Sequence, residues 1–264
     1  MRFGCCAGPE KADFLERSGC DYYEPAVISH LIPEKDEEQF RPLKEQFLSA
    51  KIKPEAFNCF LPVDLKVVGE NVDRERLLKY VEVAFRRANE VGGKIIVFGS
   101  GGSRMISERF LRDKAIVQIK EFLNLIAPVA KKNGITVCVE PLYKNATNFL
   151  NRVDEVEKIV REVNQPEIKV LADLFHMTLE EEPFFNLIST GKQLFHIHVP
   201  VPDLDWIEKY EVPFEHRRFF LALKEAGYDG RITLEDNGGR IRNWEHDIPH
   251  ILKALKKIVS GLSS

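Results

Sequence analysis

Four residues, Glu140, Asp173, His198 and Glu235, stand at the C-terminal ends of short β-branched or apolar runs that read TVCVE, KVLAD, FHIHV and RITLE. They are separated by 33, 25 and 37 residues, about one strand–helix unit each time. Parallel strands at that spacing deliver three carboxylates and an imidazole to one end of a sheet or barrel. An oxygen-rich set with one imidazole suits Mn²⁺, Mg²⁺ or Co²⁺, and Zn²⁺ also fits. Taken singly, an acid at a strand end is ordinarily a helix cap or half of an ion pair, and a histidine in an apolar strand is ordinarily a hydrogen-bonded core residue. That ordinary reading is kept for His196, which alternates with His198 and lies one step deeper. The other four converge on one small volume, where three carboxylates would raise one another's pKa unless a cation neutralised them. A divalent-metal-dependent enzyme is therefore expected.

The rest of the chain reads as the frame for those residues. Candidate strands are Arg2–Ala7, Tyr22–Val27, Ala56–Phe60, Lys94–Gly99, Thr136–Glu140, Lys169–Asp173, Leu194–Val199 and Arg231–Glu235. Between them, Val72–Val91 and Glu108–Asn133 carry apolar residues at helical spacing, the second ending in the stop pair Asn133–Gly134. Shorter helices are expected at Pro9–Arg17, Glu34–Ser49, Arg152–Val163, Glu180–Ser189, Pro213–Ala226 and Asn243–Val259. Strict strand–helix alternation predicts an α/β fold, a single (β/α)₈ TIM barrel over residues 1–264, in preference to a doubly wound open sheet.

Bulk properties agree. The composition, 44% hydrophobic and 30% charged, is that of a globular domain with a large core, and the net charge of −3 offers no footprint for nucleic acid or an anionic membrane. No apolar stretch reaches membrane-span length, and MRFGCCAGPE lacks the features of a signal peptide, so a cytoplasmic location is expected. The five cysteines contain no CxxC pair and read as buried reduced thiols.

Other residues are placed to contact a substrate. Gly99–Arg104, reading GSGGSR, follows the fourth strand. Its amides can cradle an oxygen-rich or anionic group and Arg104 can add a bidentate contact, or it is simply a flexible loop. Glu24 ends the second strand and Asn58 lies in the third, so both can reach substrate hydroxyls or else cap their loops. The segment Val201–Glu215, with Trp206, Tyr210 and Phe214, is expected to form a lid or an oligomer contact.

The segments EPLYKNATNFLNRVDE, VLADLFHM, FHIHV and GYDGRITLED resemble the sugar isomerase/epimerase superfamily of xylose isomerase-like barrels. The likeness extends more weakly to FNCFLPVDLKVVG and IIVFGSGGSR. That superfamily includes ketose 3-epimerases, hydroxypyruvate isomerase, inosose dehydratases and, more distantly, endonuclease IV. The resemblance implies that Glu140, Asp173, His198 and Glu235 hold a Mn²⁺-type ion. It also implies that Glu140 and Glu235 move a proton on opposite faces of a carbon next to a carbonyl, through an enediolate, and that His176 bonds a substrate oxygen. It implies a small carbohydrate substrate and a homodimer or homotetramer.

Two departures bear on the substrate. The position six residues after the first ligand, where the epimerases usually place a second glutamate, is Ala146, and Asp203–Trp206 occupies the place of an expected arginine. An inosose-type dehydratase, or a lyase subunit that cleaves a C-glycoside, is therefore the alternative on the same metal site. An abasic-site endonuclease is disfavoured because DYYEPAV and AFNCFLP carry no histidine. A non-catalytic sugar-binding barrel is the remaining reading.

Overall fold

The computed structural model of the chain describes residues 1–202, 214–237 and 239–261. Its strands are β1 (Arg2–Cys6), β2 (Tyr22–Glu24), β3 (Ala56–Phe57), β4 (Ile95–Phe98), β5 (Thr136–Val139), β6 (Ile168–Asp173), β7 (Leu194–Pro200) and β8 (Arg231–Glu235). They lie in the order β2-β1-β8-β7-β6-β5-β4-β3, every neighbouring pair parallel. Between β2 and β3 the ring is joined by single bridges at Tyr23–Pro54 and Ala26–Asn58. Pro25 and Pro54 have no N–H to donate, which thins the ladder there and cuts β2 and β3 shorter than the sequence suggests. The result is the nearly closed parallel barrel expected from strand–helix alternation.

The helices on the outside are α1 (Ala12–Arg17), α2 (Glu37–Ser49), α3 (Arg74–Glu90), α4 (Gly101–Arg104), α5 (Arg112–Asn133), α6 (Val153–Val163), α7 (Leu174–Leu179), α8 (Phe185–Thr190), α9 (Phe214–Glu225) and α10 (Trp244–Gly261). Their ends follow local chemistry. Asp36 accepts a hydrogen bond from Gln39 N at 2.8 Å to open α2, and Asp73 accepts from Arg76 N at 3.0 Å to open α3. Gly134, with φ 63°, closes α5 in the left-handed conformation that favours glycine. Of the helix expected over Glu180–Ser189, only α8 forms, starting at Phe185 after Pro183, and the short α7, which was not expected, precedes that range. Phe60 links the layers, stacking on Phe85 of α3 at 5.5 Å and meeting Phe98 of β4 at 6.0 Å.

Period-two alternation sorts each strand into a helix-facing and a barrel-facing side. Tyr22, Ala56, Ile95, Val97, Cys138 and Leu171 form a separate buried cluster, the filling of the barrel interior. Two residues beyond members of this cluster come Glu24, Asn58, Gly99, Glu140 and Asp173. The same alternation that packs the interior therefore turns these residues inward at the C-terminal mouth. Register fixes their neighbours: Asp173 pairs with His198, His198 with Thr233, and Pro200 with Glu235.

Cys5, Cys20 and Cys138 are buried as expected, whereas Cys6 is half-buried and Cys59 exposed. Cys59 lies past the end of β3 with φ 46°, so the strand that would have buried it has already stopped. Among the described residues no helix is long and apolar enough to cross a membrane.

Gly4 illustrates how tightly the interior is filled, since a Cβ there would sit 2.4 Å from Cε2 of the fully buried Tyr22. Gly4→Ala should lower the free energy of unfolding by about 1–3 kcal/mol, the usual cost of overpacking, read as an earlier urea midpoint. A variant as stable as the wild type would contradict this packing.

Candidate active site

The four strand-end residues converge at the mouth. Ligand atoms of Glu140, Asp173, His198 and Glu235 all lie within 4.8 Å of one another. His198 Nδ1 is 3.0 Å from Glu235 Oε2 and 3.4 Å from Glu140 Oε1. Two carboxylates from β8 and the end of β5, strands that are not neighbours, thus meet at one edge of one imidazole. Gly99 makes room for this, because a Cβ there would stand 2.3 Å from Glu140 Oε2.

The electrostatics of the cluster are those of charges crowded out of water. Burial, then the charges of Glu235 and Glu140, push the Asp173 carboxyl well above the usual range. Burial also penalises a charged Glu140, yet the hydrogen bond and charge of His198 hold its carboxyl below the ordinary value. His198 itself is pushed well up by Glu24 and Glu235, which outweigh its own burial. One imidazole thus balances more negative charge than it can neutralise. This donor set, three carboxylates and a nitrogen on one small volume, fits a divalent cation.

Glu24 lies beneath the ring and has a different place from the one expected. Its Oε1 is 2.9 Å from His198 Nε2, and its Oε2 is 2.8 Å from His196 Nε2 and accepts from Thr233 Oγ1 at 2.6 Å. Both oxygens are therefore engaged inside the barrel, and neither is left for a substrate hydroxyl. Although burial raises it, the flanking His198 and His196 hold the Glu24 carboxyl far below its ordinary range. A carboxylate accepts, so His198 Nε2 carries a hydrogen and Nδ1 is the nitrogen that faces the other carboxylates. His196 is fully buried in this network, the hydrogen-bonded core residue the sequence suggests.

Arg104 also departs from its expected place. The stretch after Gly99 turns into the short helix α4, and the fully buried Arg104 side chain points back into the strand ends. Its Nη2 donates to the Glu140 carbonyl oxygen at 2.6 Å and its Nη1 to that of Phe98 at 3.4 Å. Burial lowers the guanidinium pKa to about 10. The side chain ties the ends of β4 and β5 together from behind, so it is not available as a bidentate substrate contact.

His176 lies beside the cage, Nε2 3.5 Å from Asp173 Oδ2. Its Nδ1 accepts from Tyr143 N at 3.4 Å, and its ring stacks on Tyr143 at 5.4 Å. Nε2 is thus the nitrogen left to donate. Asn58 is on the inward side, its Nδ2 3.1 Å from Cys6 Sγ. Of Val201–Glu215, residues 203–213, including Trp206 and Tyr210, lie outside the described residues.

The site holds residues that the motifs did not single out. Thr233 bridges Glu24 and the Tyr22 hydroxyl, 2.9 Å away, and Asn237 Nδ2 is 3.5 Å from Asp173 Oδ2. Thr233 alternates with Glu235 in RITLE as His196 does with His198, and that period-two spacing was the available signal. Asn237 follows the strand in a turn and carried none.

Residues 12–258 match the family model described as the xylose isomerase-like TIM barrel. The chain is 24% identical over 242 residues to the 3-dehydro-D-guloside 4-epimerase of Escherichia coli strain K12, covering 88% of this chain and 87% of that enzyme. It is 33% identical over 116 residues to the D-psicose 3-epimerase of Agrobacterium fabrum, a match that spans 44% of this chain and only 39% of that enzyme. Among solved structures, a D-psicose 3-epimerase crystallised in the presence of D-fructose superposes with a TM-score of 0.83 at 19% identity, covering 99% of this chain and 100% of that one. That last likeness shows the fold. With nearly its whole length matched by the family model, the chain belongs to the xylose isomerase-like TIM-barrel family.

Proposed function

We propose that this chain is a divalent-metal-dependent sugar epimerase or isomerase that moves a proton on a carbon adjacent to a carbonyl. The observation that carries the reading is the meeting of Glu140 and Glu235, from the ends of β5 and β8 with β6 and β7 between them, at His198 Nδ1. Glu140, Asp173, His198 and Glu235 are the residues that hold the cation, with Mn²⁺ favoured by the oxygen-rich donor set. When bound, the cation supplies Lewis-acid polarisation of the substrate carbonyl, worth several kcal/mol of charge stabilisation.

The chain's own residues do the rest. One glutamate takes the proton α to the carbonyl, and the other returns a proton from the opposite face, which inverts the carbon. Acid–base catalysis of this kind contributes roughly 10²–10⁴-fold. His176 donates Nε2–H to a substrate oxygen, and Asn58 lies on the inward face within reach of a hydroxyl. Both relatives' names support the reading: 4-epimerisation of a 3-dehydro sugar and 3-epimerisation of psicose each invert a carbon next to a carbonyl.

The direct experiment is incubation of the Mn²⁺-loaded protein with free ketoses and 3-keto-glycosides in D₂O. Deuterium should enter the carbon α to the carbonyl, and Glu140→Gln and Glu235→Gln should each slow that exchange by about 10²–10⁴-fold. No exchange from any substrate with the cation bound would sink the reading. Release of water or of an aglycone in place of an inverted sugar would assign elimination, the alternative that Ala146 favours.

Glu24 gives a second test, independent of turnover. Its grip on His198 Nε2 orients the ring, so Glu24→Gln should weaken Mn²⁺ binding by about 10–100-fold, the usual cost of losing such a partner. Equal dissociation constants for the variant and the wild type, in a Mn²⁺ titration, would contradict that role.

A further inference from the structure

Helix α10 carries a second arrangement of metal-ligating groups, outside the barrel. His246 and His250 are four residues apart, which sets them one above the other on one helix face. Their rings already face each other, with centroids 4.4 Å apart and planes 28° from parallel. Each is anchored through the same nitrogen: His246 Nδ1 lies 3.0 Å from Asp247 Oδ1, and His250 Nδ1 lies 2.6 Å from the carbonyl oxygen of His246. Carboxylate and carbonyl oxygens only accept, so both Nδ1 atoms carry hydrogen and each neutral ring keeps its lone pair on Nε2. Neither Nε2 makes a hydrogen bond among the described residues, and the His246 side chain is 55% exposed.

We propose that His246 and His250 form a two-imidazole chelate for a borderline divalent cation, Cu²⁺, Ni²⁺ or Zn²⁺, distinct from the carboxylate cage. Imidazole pairs suit these ions, and affinity for such ligands rises from Mn²⁺ through Ni²⁺ to Cu²⁺. The carboxylate of Asp247 behind His246 is the kind of partner that fixes the tautomer and raises ligand basicity. The site lies in the first turns of α10, whose N-terminal dipole opposes a cation. Glu245 and Asp247 in the first turn offset that effect. Water completes the coordination, so the chelate is weaker than the four-residue cage.

The two sites separate by the softness of the ion, and the chelate does not depend on the catalytic reading. Isothermal titration at pH 8 with Mn²⁺ alone should give one equivalent per chain, and with Ni²⁺ two. In His246→Gln/His250→Gln the Ni²⁺ stoichiometry should fall by one while the Mn²⁺ stoichiometry stays as in the wild type. Each single variant should lose the same equivalent, because a chelate needs both rings. If the cage were not a metal site, Mn²⁺ would register nothing and Ni²⁺ a single equivalent that the double variant abolishes, which would still support the chelate. An Ni²⁺ stoichiometry that is the same in wild type and double variant would overturn it.

Discussion

The structure turns on the mutual repulsion of three carboxylates held around one imidazole in a nearly closed barrel mouth. Asp173 is fully buried and Glu140 almost so. Both have lost the hydration that would screen them, and their nearest neighbours include further acids. Such a cluster is unfavourable unless something positive holds it together, and among the described residues His198 Nδ1 lies against Glu140 and Glu235 while His176 Nε2 is 3.5 Å from Asp173 Oδ2. The chain accepts this cost at the end of the strands where the fold leaves room for a ligand.

The rest of the barrel keeps that cluster in place. The interior filling of Tyr22, Ile95, Val97, Cys138 and Leu171 sets the alternation that turns the next layer inward. Beneath the site runs a continuous polar network: Tyr22 hydroxyl to Thr233, Thr233 to Glu24, Glu24 to both His196 and His198. From the other side, Arg104 fastens the backbone of Glu140 to that of Phe98. The cage is thus gripped through its ring from below and through its backbone from outside, and both grips are buried. Such support restricts the ligands to a narrow range of positions, which a metal site requires.

Much of this was legible in the amino-acid order. The intervals between Glu140, Asp173, His198 and Glu235 announced both the barrel and the convergence, because one strand–helix unit has a nearly fixed length. Side-chain direction was less legible. Glu24 ends its strand much as Glu140 ends its own, and nothing local marks one as facing two imidazoles and the other as facing the mouth. Arg104 looked like an anion contact because its Gly-Ser surroundings suggest an open loop, whereas those residues form a helical turn that folds the guanidinium inward. The exposure of Cys59 depended on where a two-residue strand stops, which Pro25 and Pro54 influence from a neighbouring register.

The solved relatives share the barrel, and Ala146 is the position at which the resemblance to ketose 3-epimerases implies a second glutamate. The difference bears on how a sugar is gripped and leaves the four cage residues intact. Diffraction from a crystal soaked in Mn²⁺, with data collected at the manganese absorption edge, tests the cage most directly. An anomalous peak bonded to Glu140, Asp173, His198 Nδ1 and Glu235 is the predicted result. A fully soaked crystal with no peak among those four side chains would contradict the account.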